Sequence, residues 1–286
     1  MKESKTCRSA WLLDYQRNVY SQYGEDGIIE KIVNTIPDDG KWCVEFGAWD
    51  GLHLTNTRNL IESCGFSAIL IEANKSRFSD LQKNYSNNEK VITINKFVGF
   101  YANDGLDDIL KKTPVPADFT LLSIDIDGND YHVWEAVTSY QPKIVVIEFN
   151  PTFPAGIEFV QPKNQHVNQG SSLSALVRLA NKKGYELIAV LPINAFFVKK
   201  EFYPLFKIES NDPATLNANA EYITYLSVGY DGTVFLNGSR KLPWHGININ
   251  ESEVQVLPKF IRKFSGNYSF FQKIIFWLYR RIRNPI

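Results

Sequence analysis

The chain is poor in the residues from which covalent or metal-thiolate scaffolds are built. Its 286 residues include three cysteines, Cys7, Cys43 and Cys64. They show no metal-ligand spacing and form no even framework, which argues against a disulfide-stapled secreted domain and for a reducing cytoplasm. The N-terminal MKESKTCRSAW lacks the apolar core of a signal peptide. No run reaches the roughly 18 apolar residues of a membrane span. Net charge is lacking too: 31 basic residues face 31 acidic ones, so a nucleic-acid partner is not expected. Repeats and low-complexity tracts are absent. What is present is ordinary globular material, 44% hydrophobic and 22% charged, enough for a sizeable core in one large or two small domains.

The balanced charge is unevenly spread. From Val254 to Ile286 there are seven Lys or Arg and no Asp or Glu. An acidic body therefore carries a basic, aromatic tail.

Periodicity predicts helices over Asp26–Ile36, Thr55–Ser63, Phe78–Tyr85, Leu106–Lys112, Tyr131–Thr138 and Ser172–Lys183. The first is closed by Pro37-Asp38-Asp39-Gly40. Strands are predicted over Trp42–Phe46, Ser67–Ile71, Val91–Val98, Phe119–Ile126, Lys143–Phe149, Tyr185–Val190 and Ala195–Lys199. Strands and helices alternate at βαβ spacing, and the central strands are apolar almost throughout, as in a parallel sheet covered on both faces. The expected fold is α/β, a Rossmann-like, doubly wound, mostly parallel seven-stranded sheet. Residues 1–200 form its domain, 201–250 an extension and 251–286 a tail. Within the extension, Tyr222–Val228 and Thr233–Leu236 suit a hairpin. Pro151–Gly170 is a long polar loop without a clear element, of a length often used for lids.

In such a sheet, ligands sit outside the carboxyl ends of the strands. Four of those ends carry acids: Glu45, Glu72, Asp125 and Glu148. The loop after the first strand, EFGAWDG, is G-x-x-x-G preceded by an acid and is not the dinucleotide fingerprint G-x-G-x-x-G. A pyrophosphate needs bare amides at a helix N-terminus, and Glu45 and Asp50 would repel it. They suit an ammonium group. Gly47 permits close approach and Gly51 a tight turn. Glu72, 21 residues after Gly51, is spaced to accept hydrogen bonds from ribose hydroxyls. An amino acid joined to a nucleoside without phosphates, such as S-adenosylmethionine, meets all of these conditions.

On SQYGEDGIIEKI, VEFGAWDG, ILIEAN, LLSIDIDGNDYHVWEAV, PKIVVIEFNP and NAFFVKK, spread over residues 20–200, the chain resembles the class I S-adenosylmethionine-dependent methyltransferases, in particular the FkbM-like group. The resemblance implies that Glu45, Gly47, Ala48 and Gly51 line the methionine end of the cofactor, that Glu72 and Ala73 take the ribose, and that Asp125 lies near the sulfonium. Gln22 and Tyr23 would cover the cofactor. The fourth block departs from the group's acid-Val-Glu-Gly, reading Asp125-Ile126-Asp127-Gly128. A sugar or glycan-precursor acceptor is implied, such as a nucleotide sugar in surface-polysaccharide synthesis.

Asp127, Glu148 and Asn150 are oxygen donors at adjacent strand ends, a set suited to a hard divalent cation such as magnesium or to a sugar acceptor. Asp127 or His166, the latter in the long polar loop, is expected to act as base. His53, His132 and His245 complete the histidines. The tail FFQKIIFWLYRRIRNPI reads as an amphipathic helix, either on the inner face of an anionic membrane or packed on the core or a second subunit. Two other readings are a non-catalytic module of the same fold and an NAD-dependent oxidoreductase.

Overall fold

A computed structural model describes residues 8–37, 40–217 and 221–283. Residues 1–7 with Cys7, Asp38 and Asp39 of the expected turn, residues 218–220 of the expected extension, and the last three residues of the tail lie outside the described residues. The chain divides into two units, one ending at Ala218 and one starting at Asn219.

Strands β1 (Trp42–Phe46), β2 (Ser67–Glu72), β3 (Val91–Asn95), β4 (Leu121–Ile124), β5 (Ile144–Glu148), β6 (Tyr185–Val190) and β7 (Asn194–Lys199) build the sheet of the first unit. Their order is β3-β2-β1-β4-β5-β7-β6. Strands β1 to β5 pair in parallel, and β7 runs antiparallel between β5 and β6. Successive side chains of a strand point to opposite faces, so continuous apolar runs feed two cores at once. Val44, Phe46, Ile69, Ile71, Leu122, Ile124, Val145 and Ile147 enter one. Cys43, Ala68, Leu70, Leu121, Ile144 and Val146 enter the other.

Helices α1 (Glu25–Val33), α2 (Arg58–Cys64) and α3 (Lys75–Asn84) cover the second core. Helices α4 (Leu106–Leu110), α5 (Asp130–Ala136) and α6 (Leu173–Lys183) cover the first. Their ends follow from capping. The Asn74 side chain accepts from the Ser76 and Arg77 amides, and that of Ser172 from the Ala175 amide. Gly184 closes α6 at φ 83°. Helix α2 starts three residues later than predicted, because Thr55, Asn56 and Thr57 spend their polar groups on Glu45 instead. Strand β4 stops at Ile124 because the chain then wraps around Asp130.

The first unit continues past residue 200. Phe206 and Ile208 are buried in the α1–α3 core, and the Trp11 indole donates to the Phe206 carbonyl at 2.8 Å. Leu216, in the short helix α7 (Pro213–Leu216), joins the other core.

The second unit contains the expected hairpin, formed by β8 (Thr224–Val228) and β9 (Val234–Gly238), followed by a small pair, β10 (Lys241–Leu242) and β11 (Ile247–Asn248). Helix α8 (Phe270–Arg283) ends it. Hairpin and tail share this unit and are not separated near 250: Gln255 Oε1 accepts from the Val234 amide and its Nε2 donates to the Val234 carbonyl.

Candidate active site

The order of strands reverses direction between β1 and β4, the place where doubly wound sheets open a crevice. A cleft of 460 Å³ lies there, of a size suited to a small-molecule ligand. Its walls are the loop after β1 (Glu45–Trp49 and His53–Thr55), the end of β2 (Ile71–Ala73), the segment after β3 (Lys96–Val98) and the end of β4 (Asp125–Asp127). Gln22 comes from the N-terminal segment, and Gln165 and Asn168 from the long loop.

Gly47 lets the two central walls meet. Its φ is 76°, and a Cβ placed there would stand 2.0 Å from the Asp125 carbonyl oxygen. Glu45 is 4% exposed. Its carboxylate accepts from the hydroxyls of Thr55 and Thr57 and from the Asn56 amide at 3.0 Å. Burial raises its pKa, and these donors pull it back. Glu45, expected as an anion facing an ammonium group, is held by these donors and shapes the loop. Glu45→Gln turns an amide N–H toward these donors. The expected cost is about 2 kcal/mol of stability, with weaker ligand binding, to be read by thermal denaturation and calorimetry.

Asp50 is engaged as well. It accepts from the Leu52 and His53 amides and meets His53 Nδ1 at 2.6 Å. Burial tends to raise its pKa, but those hydrogen bonds hold it below the usual carboxylate value. Glu72 ties two walls together: Oε2 accepts from the Trp49 amide at 2.9 Å and Oε1 from the Asn74 amide at 2.6 Å.

Of the residues expected at the site, Gln22, Glu45, Gly47, Ala48, Glu72, Ala73, Asp125 and Asp127 line the cleft. Tyr23 does not; it packs on the α1–α3 core. Gly51 turns toward α3, where its carbonyl accepts from the Tyr85 hydroxyl. Glu148 lies behind the cleft wall, hydrogen-bonded to Asp125. Asn150 is consumed locally: Oδ1 accepts from the Thr152 amide and hydroxyl, and Nδ2 donates to the Gln169 carbonyl. His166 is exposed and off the cleft, while its neighbours Gln165 and Asn168 enter it. His132 is buried, bonded through Nε2 to the Gln161 carbonyl at 2.8 Å.

Other site features were missed. Trp49, Leu54 and Asp127 have φ of 50°, 53° and 57°, and all three line the cleft. Such backbone is costly for residues with side chains and gathers at functional sites. Trp49 and Phe97 are exposed aromatics there, and the Arg77 guanidinium lies 4.3 Å from the Trp49 ring centre. Gln161 pins the long loop: it donates to Asn129 Oδ1 and the Val167 carbonyl, and accepts from the Gln169 and Gly170 amides. Asn168 Nδ2 in turn donates to the Asp127 carbonyl at 2.9 Å. In the first turn of α1, Asp26 Oδ2 gathers the amides of Val19, Tyr20 and Ser21, which fixes the turn that presents Gln22.

Asp125, Asp127 and Glu148 bring carboxylate oxygens within 4.8 Å of one another. Two of these, Asp127 and Glu148, belong to the set expected for a cation, and Asp125 joins them. Burial first, then repulsion from Asp130 and Asp127, pushes Asp125 up to about 7. Burial pushes Asp130 up to about 6, although the Ile126 and Gly128 amides oppose it. Burial and the nearby Asp125 raise Glu148 well above its usual value. An unfolded Asp releases its proton near pH 3.9, so the folded chain holds extra protons from there to about 7. Stability from these groups is full below that window and lost as pH rises through it. In chelator-treated protein, Tm should fall between pH 5 and 8, and Asp125→Asn should flatten that slope.

No family model and no curated protein sequence matches the chain. Solved structures do align with it. The N-terminal domain of EvdMO1, in the presence of SAH and D-fucose, is 10% identical; the match covers 61% of this chain and 82% of that one, with a TM-score of 0.41. The glycopeptide N-methyltransferase MtfA, complexed with S-adenosyl-L-methionine, is 9% identical, with 65% and 89% covered and a TM-score of 0.37. Magnesium protoporphyrin IX methyltransferase from Synechocystis PCC 6803, with bound SAH, is 9% identical, with 61% and 81% covered and a TM-score of 0.38. The seven-stranded sheet is Rossmann-like and mostly parallel, with β7 reversed between β5 and β6.

Proposed function

We propose that the protein is a cytoplasmic S-adenosylmethionine-dependent O-methyltransferase of the FkbM-like group, acting on a hydroxyl of a sugar or glycan precursor such as a nucleotide sugar. The observation that carries this reading is the cleft at the β1/β4 switch point of a sheet whose seventh strand is reversed. A dinucleotide-binding sheet has the order 3-2-1-4-5-6 and a G-x-G-x-x-G turn. Here the turn is Gly47-Ala48-Trp49-Asp50-Gly51 with Glu45 behind it, which counts against NAD.

In this reading the chain positions two reactants and removes one proton. Glu72, fixed by the Trp49 and Asn74 amides, keeps lone pairs for ribose hydroxyls. Gly47 leaves backbone open to the methionine end, and Gln22 covers it. S-adenosylmethionine held by these residues would supply a methyl group on a sulfonium, with a thioether as its leaving group, in line with the acceptor oxygen. Most of the rate comes from holding that line. Asp127, exposed beside the cleft, takes the acceptor's proton. Asp125, Asp127 and Glu148 also fit a divalent cation, since crowded carboxylates are relieved by one. Such an ion would polarise the acceptor hydroxyl and lower its pKa.

Incubation with methyl-labelled S-adenosylmethionine and a panel of nucleotide sugars tests the reading. Label on a sugar oxygen is the expected outcome. Tight cofactor binding with no transfer to any acceptor would favour the non-catalytic module.

A further inference from the structure

Helix α8 is fastened to its own unit by one side only. Gln272 Nε2 donates to the Phe260 carbonyl at 2.9 Å, the Tyr279 hydroxyl to the Val256 carbonyl, and Phe276 meets Tyr268 with ring centres 5.4 Å apart. These three residues recur at i, i+4 and i+7. Phe271, Ile274, Ile275, Leu278 and Ile282 lie on another side, within about 100° of arc. An amphipathic helix in a soluble protein turns that stripe inward. Here the five side chains are between 39% and 78% exposed.

The surroundings of the stripe say what would cover it. Arg281 borders it, its guanidinium 4.1 Å from the ring centre of Trp277, an aromatic type favoured at bilayer interfaces. Lys273 and Arg280 lie behind it, and Lys259, Arg262 and Lys263 precede the helix. No acid occurs from Val254 onward. A second copy docking by the same face would bring the two Arg281 side chains at its border together, since a two-fold contact pairs identical patches. Fourteen residues rise about 21 Å, short of the roughly 30 Å hydrocarbon core. Among the described residues, no helix is long and apolar enough to cross a membrane.

We propose that α8 lies in the plane of an anionic lipid bilayer, with Phe271, Ile274, Leu278 and Ile282 among the acyl chains and the Lys and Arg side chains on lipid phosphates. Apolar burial supplies part of the binding and the bases the rest, so neither alone should suffice.

The test is co-sedimentation of the full chain with vesicles of phosphatidylcholine alone or with about one third phosphatidylserine, at physiological ionic strength. Binding to the anionic vesicles should exceed binding to the neutral ones at least tenfold. Leu278→Glu should reduce it at least tenfold. The triple change Arg280→Gln, Arg281→Gln, Arg283→Gln, which leaves the apolar stripe intact, should do the same. Circular dichroism of each variant confirms that the chain is folded. Failure to bind anionic vesicles, equal binding to both compositions, or full binding by the folded triple variant would overturn the proposal. So would a lipid-free dimer in light scattering that Leu278→Glu turns into a monomer, because the stripe would then belong to a second copy.

Discussion

Asp127→Asn should lower kcat by about 10²- to 10⁴-fold, the range contributed by a positioned general base, while affinity for S-adenosylhomocysteine stays within about twofold of the parent. The substitution keeps the backbone and removes one charge from the cluster with Asp125 and Glu148. Asp127 sits at φ 57°, a conformation that Asn tolerates nearly as well as Asp. Its only described hydrogen bond uses the backbone: the Asn168 amide donates to the Asp127 carbonyl, a contact the variant keeps. The side chain is exposed at the cleft and not built into the core, so stability should be little changed. Steady-state kinetics beside calorimetry separates the two effects. Undiminished turnover would remove Asp127 from the chemistry.

Gly47→Ala should be the most damaging change to the cleft's architecture. An L-residue in the left-handed region costs about 1–2 kcal/mol by itself. The new Cβ would also stand 2.0 Å from the Asp125 carbonyl oxygen, a backbone atom with no rotamer to retreat into. Strands β1 and β4 must then separate at their carboxyl ends, which moves both walls of the cleft. A stability loss of about 3 kcal/mol or more is expected, together with a loss of cofactor affinity of at least about 100-fold; in a chain this size each kcal/mol lowers Tm by about 2–4 °C. Gly156→Ala is the control, since a Cβ there meets nothing within 4 Å. If Gly47→Ala melts with the parent and still binds cofactor, the two walls do not depend on their contact.

The sheet was legible because its signals are local. Strand β6 appears with the predicted bounds, and the acids at the ends of β1, β2, β4 and β5 stand where the apolar runs stop. Reversed pairing of β7 leaves no such mark. The site was legible to the level of which loops meet, and less so for what each side chain does there. Glu45 and Asp50 look alike in sequence as free acids, yet one clasps residues ten to twelve positions away and the other a histidine three positions on. Asn150 and His166 do not line the cleft. The loop Pro151–Gly170 has no period, so nothing in sequence says that Gln165 and Asn168 face the cleft while His166 does not. Gln161 has no motif; its importance is a count of hydrogen bonds that exists only after folding. Helix α8 was legible as amphipathic, but the outward turn of its stripe depends on Gln272, Phe276 and Tyr279 finding partners on their own unit.

Calorimetric titration of the full chain with S-adenosylhomocysteine and, separately, with NAD tests the central claim most directly. One-to-one binding of S-adenosylhomocysteine, no binding of NAD, and at least tenfold weaker binding by Glu72→Ala are expected. Binding of NAD, or no heat with S-adenosylhomocysteine from folded protein, would contradict the assignment of the β1/β4 cleft to a methyl donor.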